Sequence, residues 1–286
     1  MLHRAMNKLK MALPSTPLFR LMNPHKAHLY CVGTAKSGTH SIEAIFRGQL
    51  RSAHEAESNK VIDTILDVSA GRIDDEELRH YVLKRDRRLW LDVDSSQLNF
   101  FLLDKLVELF SDAKFILTIR NPYAWLDSFI NHQLAYKSSD KWIQLRDLRF
   151  RPDIYTHSQG ELALKEKGLY TLDGYFSYWA HHNRTVIETV PEDRLLIVRT
   201  DKISECIEEI AAFAGVSKSN LNQEQSHTFK ARAKFHLLDK VDQEYLEYKA
   251  KEHCGDLSDR FFPEIQSKKD ALSSACNVIK GDGSLY

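Results

Sequence analysis

The sequence predicts an α/β fold of three layers, α/β/α, around a central and mostly parallel sheet. Short apolar runs recur along the chain, and each is followed by a helix-like segment. Two of them, His28–Val32 and Lys114–Ile119, lead straight through a turn into a helical pattern. Strands that alternate with helices make βαβ units, and those units build parallel sheets covered on both faces.

The elements follow in order. Residues 1–27 read as a loosely docked leader, with Arg4, Lys8, Lys10 and Arg20 interrupting its apolar positions. Its apolar runs fall short of the ~7–15 residues of a secretory signal. Nowhere does the chain reach the ~20 apolar residues that span a bilayer, so stable membrane insertion is not expected and the cytoplasm is the default location. Residues 28–286 read as one domain, without internal repeats or low-complexity linkers. Strands are expected at 28–32, 89–93, 114–119 and 195–199. Leu98, Phe101, Leu102, Leu106 and Leu109 repeat at helical spacing, as do Ile203, Ile207, Ile210, Ala211 and Ala214, after which Gly215 supplies a stop. Tyr175, Tyr178, Trp179 and His182 mark a further helix whose aromatic face reads as core, with the adjacent His181 and His182 on its surface. Residues 136–170 break the rhythm. Rich in charge (Lys137, Lys141, Arg146, Arg149, Arg151), they read as an inserted cap.

Charge and cysteine content exclude several functions. Lys plus Arg equals Asp plus Glu at 40 each, so the basic excess of a nucleic-acid coat is missing and any anion site must be a local cluster. Cys31, Cys206, Cys254 and Cys276 lie far apart without C-x-x-C spacing, which indicates neither a zinc site nor a disulfide framework.

Two segments carry chemistry. After the first strand comes Gly33-Thr-Ala-Lys-Ser-Gly-Thr-His-Ser41, with Ile42, Ile45, Phe46 and Leu50 as the buried face of the next helix. A strand, a glycine turn and a helix start make an anion site, because backbone N–H groups converge there and the helix end is positive. Lys36 adds a full charge, and Ser37, Thr39 and Ser41 add hydroxyl donors. Gly33 and Gly38 are spaced as in a Walker A loop, yet Thr39 stands where that motif needs lysine. Lys36 sits two positions before the second glycine instead, which suits a ligand with a single 5′ phosphate better than a triphosphate. In the second segment, Ile116–Asn131, Arg120 closes a strand, Asn121 and Pro122 start a helix, and Ser128 lies about two helical turns beyond Arg120. Trp125, Phe129 and Ile130 form its packed face. The C-terminal ends of strands are where open α/β sheets bind ligands.

Lys36-Ser37-Gly38-Thr39 resembles the 5′-phosphosulfate loop of the sulfotransferases that use 3′-phosphoadenosine 5′-phosphosulfate (PAPS), and Arg120-Asn121-Pro122 with Ser128 resembles their 3′-phosphate element. The resemblance covers roughly residues 28–235, sharply at these two motifs and loosely elsewhere. Arg199-Thr200-Asp201 departs from the family's Tyr-Glu-Asp, and the Arg-Lys-Gly tail motif of the cytosolic branch is missing. The resemblance thus points to the bacterial or carbohydrate-type branches rather than the phenol- and steroid-sulfating one. It implies a P-loop-like sulfotransferase fold, PAPS as donor, adenosine 3′,5′-bisphosphate as product, no metal, and a carbohydrate, glycolipid or other small hydroxyl acceptor. Oligomeric state is not read. Lys36, Ser37, Gly38, Thr39, His40 and Ser41 would hold the 5′ end, and Arg120 and Ser128 the 3′-phosphate. His227–Lys230 faintly resembles a family segment near the nucleotide, where Arg232 or Lys234 would add contacts.

Sulfuryl transfer should follow the in-line logic of phosphoryl transfer, with Lys36 stabilising the charge on the leaving phosphate. The acceptor needs a base. The resemblance favours Glu55, with His54, Asp92 and Asp94 as alternatives and Ser95 and Ser96 as candidate acceptor contacts; Glu43 lies inside the first helix. The competing reading is a P-loop-type nucleotide-dependent kinase, which needs a magnesium-holding Asp. A protein that binds the nucleotide without catalysis is a third.

Overall fold

The computed structural model describes residues 16–222 and 234–277. In chain order these give α1 (Pro17–Met22), β1 (Leu29–Cys31), α2 (Thr39–Phe46), β2 (Ser52–His54), α3 (Ser58–Ser69), α4 (Asp75–Leu89) and β3 (Val93–Ser95). A 3-10 turn (Gln97–Leu102) leads into α5 (Leu103–Leu109), then β4 (Lys114–Ile119), α6 (Pro122–Ala135), α7 (Asp140–Phe150), α8 (Leu162–Lys165) and α9 (Leu172–Thr189). The chain continues through β5 (Leu195–Arg199), α10 (Ile207–Ala214), α11 (Gln243–Phe261) and α12 (Lys268–Asn277). The described residues fall into two compact units. One takes the chain up to Thr34, Gly38–Thr118 and Val186 onward to the 220s; the other takes Ala35–Ser37, Ile119–Thr185 and the chain from 234.

The first unit holds a five-stranded sheet in the order β2-β3-β1-β4-β5. β1 pairs in parallel with β3 and β4, and β2 in parallel with β3. Leu29, Cys31, Val93, Ile116 and Val198 present one face of this sheet to Ile42, Ile45 and Phe46 of α2 and to Ile207, Ile210 and Ala211 of α10. Burying each such Leu or Ile contributes about 1.5–3 kcal/mol relative to leaving it exposed. On the other face the Tyr30 ring stacks on Phe115 and Phe110, at centroid distances of 5.6 and 6.1 Å. Its hydroxyl donates to Asp86 of α4 at 3.3 Å. Leu98, Leu102 and Leu106 are buried as their helical spacing requires. With helices on both faces, this is the three-layer α/β/α arrangement expected.

Two strands differ from those expected. The second strand is Val93–Ser95, not 89–93, because α4 continues to Leu89. A capping box, Asp74 with Glu77, starts that helix, and Trp90 at φ 48° ends it. β2 was not expected at all; Ser52-Ala-His54 has no apolar run and is only partly buried at the sheet edge. Residues 136–170, expected as an inserted cap, carry α7 and α8.

The second unit is built on aromatic packing. Trp125 contacts Phe129 at 5.5 Å, Phe129 contacts Phe150 at 5.4 Å, and Phe150 contacts Tyr175 at 4.7 Å. Tyr175, Tyr178 and Trp179 are core residues, as their spacing indicates. His182 is also fully buried and shares a hydrogen bond of 3.1 Å with the Tyr178 hydroxyl, so only His181 of that pair lies on the surface. Among the described residues no helix is long and apolar enough to cross a membrane.

Candidate active site

In the second unit, Ala35-Lys36-Ser37 is tied to the start of α6. Asn121 caps that helix by accepting from the amides of Tyr123 and Ala124, and Pro122 occupies its first turn. Trp125 and Ile130 are buried below. The Trp125 indole donates to the Ala35 carbonyl at 2.8 Å, and the Arg120 guanidinium donates to the Lys36 carbonyl at 3.1 Å. The Trp179 indole in turn donates to the Arg120 carbonyl at 3.1 Å. These bonds hold Lys36 at φ 66°, a left-handed conformation that is uncommon outside glycine and concentrates at functional sites. Burial first, and the positive charge of Arg120 second, lower the Lys36 pKa; no carboxylate opposes them. Two cations thus share one turn. Ser128, about two turns along α6 from Arg120, is 7% exposed.

In the first unit, Gly38 caps α2 at φ 108°. A Cβ there would meet Ile203 Cδ1 at 2.7 Å, so both conformation and space call for glycine. The Ser95 hydroxyl donates to the Thr39 carbonyl at 2.6 Å, and Thr39 Oγ1 shares a 3.2 Å hydrogen bond with His54 Nε2. The His54 ring stacks on His40 at 4.6 Å. Burial, then the nearby His40, push the His54 pKa down to about 4, so the imidazole is neutral at physiological pH.

Glu55 follows β2 at the C-terminal edge of the sheet. Its amide donates to the Ser95 carbonyl at 3.0 Å, and its carboxylate accepts from the Gln97 amide at 3.4 Å. The other candidate bases serve the fold. Asp92 precedes β3 rather than ending a strand. It accepts from the amides of Lys26 and Arg51 at 2.8 and 3.0 Å and from the Arg51 guanidinium at 2.6 Å. Burial opposes its charge, but these bonds together with His25 outweigh it and hold the carboxyl well below the usual range. Asp94 forms a buried ion pair with Arg85. The Ser96 hydroxyl caps the following turn by accepting from the Leu98 amide at 3.0 Å, and Ser95 is committed to Thr39. Glu43 is buried and paired with Arg47. His227–Lys230 and Arg232 lie outside the described residues; Lys234 is exposed.

One further residue of the second unit escaped the motif reading. His132 lies one helical turn past Ser128 on α6, the spacing that shares a face. It is exposed, with its ring packed on Tyr136 at 4.9 Å. The i+4 step from Ser128 was the available signal. Arg146 is one of the five basic residues that mark 136–170.

Asp173, Glu252 and His253 bring ligand-type atoms within 4.8 Å of one another. The Lys249 ammonium lies 2.8 Å from both Asp173 and Glu252 and already supplies the cation there.

The family model described as "Sulfotransferase domain" matches residues 28–222. Among solved structures the chain is similar to a sulfotransferase from Alicyclobacillus acidocaldarius, at 15% identity over 82% of this chain and 94% of that one, with a TM-score of 0.43. It is also similar to the sulfotransferase domain of the Synechococcus PCC 7002 olefin synthase, at 14% identity over 90% and 95% of the two chains, with a TM-score of 0.37. No curated protein matches it.

Proposed function

The chain belongs to the sulfotransferase family, and from that premise we propose that it moves a sulfuryl group from PAPS to a hydroxyl of a carbohydrate or other small acceptor in the cytoplasm. The observation that carries the donor assignment is the pairing of Lys36 with Arg120. Like charges held together in a partly buried turn repel, and a polyanionic ligand turns that repulsion into attraction. The donor set fits such a ligand: an ammonium, a guanidinium suited to paired N–H bonds with phosphate, the hydroxyls of Ser37, Thr39, Ser41 and Ser128, and a glycine turn opening a helix.

In this reading Lys36 and the backbone amides from Gly38 to Ser41, with His40 beside them, hold the 5′ end, and Arg120 with Ser128 holds the 3′-phosphate. The donor, when bound, would supply a sulfuryl group joined to its 5′-phosphate through an anhydride bond, which breaks as the acceptor oxygen attacks and leaves adenosine 3′,5′-bisphosphate. Glu55 accepts the proton of the attacking hydroxyl, and Lys36 stabilises negative charge on the phosphate side. The kinase alternative loses support, because Asp92 and Asp94 are both engaged by arginines and Thr39 follows Gly38. Calorimetry separates the two readings. Adenosine 3′,5′-bisphosphate should bind without magnesium, and magnesium-ATP should not compete with it. Binding of magnesium-ATP alone would overturn the assignment.

A further inference from the structure

In the first unit, α1 packs nothing into the core. None of its six residues is buried. Leu18, Leu21 and Met22, spaced three and four apart on one face, are 66%, 81% and 73% exposed. A helix so short is marginal in water by itself, yet this one is fastened at both ends. Thr16 caps its start by accepting from the Phe19 amide at 3.3 Å. At its end the Asn23 carbonyl accepts from the Trp90 indole at 2.8 Å and from the Arg51 guanidinium at 2.9 Å. The same guanidinium donates to the Pro24 carbonyl at 3.0 Å. Beside α1 lies an open groove of about 450 Å³, lined by Pro17, Arg20, Leu21, Pro24, His25 and Trp90. The Arg20 guanidinium lies over the Trp90 ring at 5.5 Å, and the His25 ring packs on that indole at 3.9 Å.

Charge singles out the same segment. The chain before β1 carries Arg4, Lys8, Lys10, Arg20 and Lys26, and the first Asp or Glu in the sequence is Glu43. Among the described residues no carboxylate pairs with the Arg20 guanidinium or the Lys26 ammonium. An anionic bilayer surface matches such a face. Apolar side chains enter its acyl boundary, while cations and Trp stay at headgroup level. A second copy of this chain matches less well. Three side chains fall short of the ~800 Å² per partner that a stable interface buries, and pairing would set like charges against each other.

We propose that α1 and the groove beside it dock on anionic phospholipid membranes, with Leu18, Leu21 and Met22 inserted and Arg20, Lys26 and Trp90 at headgroup level. The docking is peripheral and reversible, and it stands apart from the sulfotransferase reading.

The full chain is sedimented with vesicles of phosphatidylcholine alone and with vesicles that are about one-third phosphatidylserine. The parent is expected to partition about tenfold more strongly onto the anionic vesicles and to lose most of that binding at ~0.5 M salt. The double variant Leu18→Ser, Leu21→Ser should bind them about tenfold more weakly, and Arg20→Gln about fivefold more weakly. Arg20→Lys keeps the charge and should stay within about twofold of the parent. Because α1 buries no side chain, melting temperatures should not move. Met22→Ser serves if the double variant does not fold, and should weaken binding about threefold. Equal sedimentation with both vesicle types overturns the proposal, as does parental binding in a folded Leu18→Ser, Leu21→Ser protein. Concentration-dependent dimerisation that the double variant abolishes, with no binding to vesicles, overturns it in favour of self-association.

Discussion

Replacing Arg120 by alanine isolates the pairing on which the donor assignment stands. The change removes a guanidinium proposed to meet the 3′-phosphate through charge-assisted bonds, which contribute about 1.5–3 kcal/mol. It also removes the 3.1 Å bond to the Lys36 carbonyl, a neutral acceptor contributing about 0.5–1.5 kcal/mol to the order of the turn. The net expectation is about 2 kcal/mol, or roughly thirtyfold weaker binding of adenosine 3′,5′-bisphosphate. Arg120→Lys keeps the charge but not the fork and should lose about fivefold. Calorimetry at pH 7.5 and constant salt reads both values, with a thermal melt to show that each variant is folded. Bisphosphate affinity within twofold of the parent in a folded Arg120→Ala protein refutes the reasoning.

Glu55→Gln should lower kcat by about 10²–10⁴ while leaving bisphosphate binding within twofold, as single-turnover assays with labelled donor will show; undiminished turnover would move the base elsewhere. Asp92→Asn leaves the Arg51 guanidinium without its charged partner and should cost about 3 kcal/mol of stability. Turnover per folded molecule should be retained, because Asp92 stands at the wrong end of β3. His54 supplies a pH dependence of known sign. Its folded pKa of about 4 lies below the unfolded value near 6.5, so the unfolded chain binds the proton first. The stability that His54 contributes is present above pH 6.5 and is lost as pH falls toward 4. At pH 5 the loss approaches about 2 kcal/mol; His54→Gln should remove that loss and so flatten the fall in melting temperature between pH 6.5 and 5, and an unchanged slope would contradict the assignment.

The legible parts of the fold were those where burial and periodicity coincide. β4 is six residues with five of them buried, and Asn121-Pro122 marks the following helix by capping chemistry alone. Gly215, at φ 71°, ends α10 for a purely local reason. β2 could not be read, since three polar or small residues at a sheet edge carry no hydrophobic signal and are strands only because β3 lies beside them. The same long-range cause misplaced Asp92: Leu89, Trp90 and Leu91 look like strand, but a capped helix claims the first of them. Lys36 and Arg120 were found as separate motifs, whereas their proximity is tertiary.

The two indoles bonded to the Ala35 and Arg120 carbonyls have a practical consequence. Trp125 and Trp179 sit at hydrogen-bonding distance from the backbone that carries the cationic pair, so their emission is sensitive to any ligand that shifts those peptides. The protein therefore contains its own optical reporter, and binding of adenosine 3′,5′-bisphosphate can be tested in real time by intrinsic fluorescence without a dye or a radiolabel.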